Sequence, residues 1–84
     1  MKLVIVSPTR TLCSTETDEV TFPGSAGRFT VLTGHAPLLS SLSAGEITYT
    51  SGKDRTVIAV KSGVVRVKDD NIEACVVTAE GDKR

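Results

Sequence analysis

Apolar residues come in short bursts along this chain, most of them at every second position, and glycine, proline, hydroxyl or acidic residues separate the bursts. Alternation with a period of two marks a strand with one buried face, because successive side chains leave opposite faces of an extended backbone. Lys2 to Ser7 departs from strict alternation. Its continuous run Leu3-Val4-Ile5-Val6 predicts a strand covered in part on both faces. Pro8-Thr9-Arg10 breaks that strand, Thr11-Leu12-Cys13-Ser14 returns as the second arm of a hairpin, and Thr15-Glu16-Thr17 is a polar turn. Asp18 to Phe22 alternates again, with Val20 and Phe22 on one face and Glu19 and Thr21 on the other.

Phe22 to Gly45 is the most informative stretch. It holds Gly24, Gly27, Gly34 and Gly45, Pro23 and Pro37, both phenylalanines and the only histidine, His35. Pro23-Gly24 reads as the middle of a tight turn that Gly27 closes. Arg28-Phe29-Thr30-Val31-Leu32 is a short strand, and Thr33-Gly34 turns the chain once more. Beyond Pro37, Leu38, Leu39 and Leu42 are apolar anchors; a helix from Pro37 to Leu42 would be too short to hold on its own.

Glu46 to Thr50 and Arg55 to Lys61 form a hairpin around Ser51-Gly52-Lys53-Asp54. Ser62-Gly63 is a second break, Val64 to Lys68 a further strand, Asp69-Asp70-Asn71 a turn, and Ile72 to Val77 the closing strand. The pattern predicts an all-β fold, an antiparallel β-sandwich or flattened barrel of about eight to ten short strands without a helical hairpin. Eighty-four residues make one domain, 1–84, with 80–84 expected to fray.

Ten basic residues balance ten acidic ones, which argues against a nucleic-acid or anionic-membrane surface. The start shows neither a signal-peptide core nor a transit peptide, and this favours a bacterial over an organellar origin. Cys13 and Cys75 both fall in strand-like segments, so two free, buried thiols are expected, with a disulfide between the first and last strands as the other option. Cys13 and His35 would be a nucleophile and base, yet no motif around Cys13 supports that pairing. Gly24 to Gly27 lacks the lysine and the following helix of a phosphate cradle, and adjacent Asp69 and Asp70 read as a turn. No catalytic, cofactor or metal site is predicted. His35 to Leu39 reads either as a contact patch with a polar handle or as core filling.

Pro23 to Leu38 matches, in spacing, the run P-G-x-x-G-x-x-x-x-L-x-x-H-A-P-L. With Leu3 to Pro8, Leu12-Cys13-Ser14 and Ser62 to Val67, it resembles the N-terminal β-sandwich domain of the F-type ATP synthase epsilon subunit. Thr15, Thr30, Thr33 and Ser62 stand where that family commonly has glycine or proline. The resemblance implies a non-catalytic subunit of the rotor's central stalk, without cofactors. It would bind the gamma subunit and the ring of c subunits and couple proton or sodium flow to ATP synthesis. It also implies a peripheral place on the cytoplasmic side of the bacterial inner membrane, reached only indirectly through the c ring. Ser7, His35, Pro37, Leu38, Leu39 and Ser40 would face gamma; the loop Gly24, Ser25, Ala26, Gly27, Arg28 and Phe29 would face the c ring. Family members usually continue into a C-terminal helical hairpin that can block hydrolysis, and this sequence is expected not to inhibit in that way. The alternative is a stand-alone β-sandwich that binds a ligand in its interior.

Overall fold

The computed structural model describes residues 1–78, so the expected frayed end at 80–84 lies outside the described residues. Eight strands are present: β1 (Lys2–Val6), β2 (Thr11–Glu16), β3 (Glu19–Phe22), β4 (Phe29–Leu32), β5 (Leu38–Leu42), β6 (Gly45–Ser51), β7 (Asp54–Lys68) and β8 (Asn71–Thr78). Seven follow one hydrogen-bonded path, β2-β1-β8-β7-β6-β3-β4, and β5 joins at the flank of β7. β2 and β4 stand at opposite ends of that path, so the sheet folds over as a sandwich and does not close into a barrel.

β7 makes the fold possible because it serves both layers. Asp54 to Val60 pairs with β6; Gly63 to Val67 pairs with β5, and Val60 to Lys68 with β8. One layer is therefore β4-β3-β6 with the first half of β7, and the other is β5, the second half of β7, β8, β1 and β2. The break expected at Ser62-Gly63 is instead a register shift between Val60 and Ser62 inside one continuous strand. Glycine is required there for closeness rather than for turning: a Cβ on Gly63 would lie 2.5 Å from the Cys75 carbonyl oxygen of β8. The extra residue also reverses the inward parity, so that Val60 is buried before it and Val65 and Val67 after it.

β1 and β8 pair in parallel, which corrects the expectation of a purely antiparallel sheet. Parallel neighbours need a long connection, and almost the whole chain lies between these two strands. Leu38–Leu42 is a strand, because pairing with β7 satisfies a backbone that so short a helix could not.

The core between the layers is aliphatic apart from Phe22 and Cys13, with Phe29 and Tyr49 packed against it. Leu3, Ile5, Val20, Val31, Ile47, Val65 and Ile72 have no exposed surface. β8 alternates perfectly, with Ile72, Ala74, Val76 and Thr78 facing in. The chain crosses from β2 to β3 at buried Thr17, whose hydroxyl donates to the backbone carbonyl of Thr50, with that of Glu19 also within reach. Both cysteines are free, but only Cys13 is buried; Cys75 is exposed, because the β8 alternation that buries Ala74 and Val76 turns it outward.

Candidate functional site

Two segments meet along β5, one fastened at its C-terminal end and the other leading into its N-terminal end. The loop after β3 is fastened to β5 by backbone hydrogen bonds, Ser25 N–H donating to the Ser41 carbonyl (3.0 Å) and Ser43 N–H to the Pro23 carbonyl (2.8 Å). The hydroxyls of Ser41 and Ser43 add bonds to Ser25 Oγ at 2.9 and 3.3 Å. Within the loop, Gly27 N–H donates to the Gly24 carbonyl at 3.0 Å, closing the predicted turn, and Gly27 takes φ 132°, where a side chain would be strained. A Cβ on Gly24 would sit 2.6 Å from the Gly27 carbonyl oxygen, so the turn is this tight only with glycine. Phe29 anchors its far end, its ring tilted on Phe22 with centroids 5.6 Å apart. Arg28 is exposed and forms no ion pair with another described residue.

The second segment leaves β4 through a turn in which His35 N–H donates to the Leu32 carbonyl at 3.0 Å. The imidazole Nδ1 lies 2.7 Å from the Ala36 carbonyl, which fixes the ring over its own loop. Strand β5 then alternates: Leu38 and Ser40 are half-buried, Leu42 is in the core, and Leu39 points outward with 76% of its surface exposed. Ala26, Gly27, Arg28, Phe29, His35, Leu38 and Ser40 line one open groove of about 400 Å³. Beside it, Pro37, Leu38 and Leu39 with Val67 form a shallow apolar surface rimmed by Arg66 and Lys68. The two sets of residues assigned separately from sequence are therefore neighbours on one surface.

Ser7 is not part of it. It follows β1, three strand positions from β5, and is buried. Its Oγ donates to the Arg10 carbonyl and accepts from the Arg10 amide, both at 3.2 Å, so the hydroxyl braces the β1–β2 turn.

Pattern reading missed the outer face of the five-stranded layer. There Val64 is paired with Cys75, Cys75 with Val6 and Val64 with Ser41, giving an apolar row that leads to β5. Val64 and Val77 are large exposed apolar residues on that face, and Leu39 is in register with Arg66, whose guanidinium is 3.6 Å from Glu73. That ion pair is exposed and contributes at most about 1 kcal/mol. The signal was present in the parity of β7, but locating it requires the bulge before Ser62.

On the opposite layer, Glu19, Thr21, Glu46, Thr48, Thr50, Arg28 and Arg55 line a polar groove. Large apolar residues are exposed on both outer faces, Leu32 and Val57 beside this groove and Leu39, Val64 and Val77 on the β5-side layer, with Leu39 the most exposed of the five. Cys13 and His35 do not meet as a nucleophile and base: Cys13 faces inward toward Tyr49, and His35 lies on the exposed loop. No helix among the described residues is long and apolar enough to cross a membrane, and no group of metal-binding side chains is found among them.

Residues 1–82 match the family model described as ATP synthase, Delta/Epsilon chain, beta-sandwich domain. The ATP synthase epsilon chain 2 of Syntrophotalea carbinolica is 45% identical over 80 residues, which is 95% of this chain and 58% of that protein. The ATP synthase epsilon chain of Geobacter metallireducens is 44% identical over the same share of each. This chain therefore spans 58% of the length of these relatives. Among solved structures, a chain in the central stalk and c ring of the Tetrahymena thermophila mitochondrial ATP synthase matches at TM-score 0.76 and 14% identity, over 90% of this chain and 62% of that one. A chain of the Euglena gracilis mitochondrial ATP synthase matches at TM-score 0.81 and 18% identity, over 96% and 54%. At those identities the likeness is one of fold.

Proposed function

The chain belongs to the ATP synthase delta/epsilon-chain β-sandwich family, and from that premise we propose that it is a non-catalytic subunit of the rotor's central stalk. It holds the gamma subunit through His35, Pro37, Leu38, Leu39 and Ser40, and meets the polar loops of the c ring through Gly24 to Phe29. Ser7 contributes through the turn it braces rather than by contact. The subunit transmits torque between ring and head, so that ion flow is coupled to ATP synthesis. As part of such a complex it sits peripherally on the bacterial inner membrane, on the cytoplasmic side.

The observation that carries this reading is the shared surface along β5, where a glycine-shaped loop bearing exposed Arg28 adjoins an apolar patch crowned by Leu39. A cationic loop suits acidic or polar ring loops, and an exposed leucine suits a protein interface. The interior alternative is less well supported, because the space between the layers is filled by aliphatic side chains and the grooves open to the surface.

Site-directed cross-linking tests it. In a Cys75→Ser background, Leu39→Cys is expected to cross-link to gamma and Arg28→Cys to a c subunit in the assembled enzyme. The reverse pattern, or none at either position, would contradict the assignment.

A further inference from the structure

We propose that Asp70 is a positioning residue for the docking surface, holding the His35 to Leu39 segment in its presented shape from the far side of the β7–β8 hairpin. The proposal rests on the reading of that segment as the gamma-binding surface.

The β7–β8 turn is a two-residue connection in which Asp69 and Asp70 have φ 52° and 60°. Both values lie in the left-handed region, and in such hairpin turns the second position is ordinarily glycine, which alone adopts it without a steric cost. An aspartate there works against local turn preference. Its carboxylate supplies the compensating feature: Oδ1 accepts the Gly34 N–H at 2.8 Å, across 36 residues of sequence. Gly34 itself has φ 86°, so its amide leaves the turn closed by His35 and Leu32 and points to the neighbouring hairpin. A charged acceptor makes this bond stronger than a neutral one of the same length.

The location matters because residues 33–37 carry the chain from the β4 layer to the β5 layer. The His35–Leu32 bond ties the segment to β4, and the Leu38–Val67 pairing ties it to β7. Among the described residues, the Asp70 bond is the one hydrogen bond between these two fastenings that reaches the segment from another element. Removing it leaves both ends attached and frees the middle, and a partner must then order that middle on binding.

Three forms of the full chain separate this role from a structural one. Asp70→Gly supplies the residue that the turn prefers and deletes the tether; Asp70→Asn keeps an acceptor oxygen and tolerates positive φ. Asp70→Gly is expected to melt at or above the wild-type temperature and to exchange the Gly34 amide much faster. It should bind gamma about fivefold more weakly, the scale of one lost hydrogen bond. Asp70→Asn should restore both amide protection and affinity to near the wild-type values. Wild-type-like affinity or Gly34 exchange in Asp70→Gly would overturn the positioning role alone. A folded wild-type chain that does not bind gamma would overturn the reading of the surface, and the docking role with it.

Discussion

Tyr49 is the sole tyrosine, so its ionisation can be followed in the intact protein without ambiguity. A hydrogen bond with Cys13 foremost, and then burial, raises its pKa above the ordinary value near 10, against a smaller lowering by Thr56. The neutral phenol is thus favoured in the folded chain. Stability from this contact is complete below the unfolded value and falls as the pH rises through the folded one. Absorbance titration of tyrosinate should show a midpoint above the ordinary value, returning toward it in Cys13→Ala; an unchanged midpoint would refute the contact. The thiols should differ as sharply. Exposed Cys75 is expected to react with a mild alkylating agent in the native protein, and buried Cys13 only after unfolding. Rapid native labelling of Cys13 would revive the nucleophile reading.

The strands show how far patterning reaches. β3, β6 and β8 were legible nearly to their ends, because alternation between a dry face and a wet face leaves a period of two in the sequence. β7 was not legible as one strand. Ser62-Gly63 has the composition of a turn, while the actual demand on Gly63 comes from Cys75, a residue distant in sequence. The parallel pairing of β1 with β8 has no local signature, and neither does the convergence of the Gly24 loop with His35 and Ser40. Residue types at the site could be read early, but their adjacency depends on β5 pairing with β7. Gly63→Ala tests the close approach. Overpacking against a neighbouring backbone should lower stability by about 1–3 kcal/mol in chemical denaturation. A change below about 0.5 kcal/mol would mean that β7 and β8 separate there without cost.

At the scale of the whole molecule, the two layers divide the work. The outer face of the β6 layer carries threonines and side chains of both charges beside exposed Leu32 and Val57, whereas that of the β5 layer exposes Leu39, Val64 and Val77. A domain of this size has a limited core, and a partner that binds only the folded state stabilises it by mass action. The melting temperature should therefore rise with gamma concentration, while a chain that does not bind gamma would show no such dependence. Leu39 is the sharpest probe of this surface, since its side chain is 76% exposed and contributes little to folding. The decisive measurement is the affinity of the full chain for the matching gamma subunit, wild type against Leu39→Asp. A tight one-to-one complex is expected for the wild type, with about tenfold or greater weakening in a Leu39→Asp protein that melts at the wild-type temperature. Equal affinity of the two proteins would contradict the placement of gamma on the β5 surface.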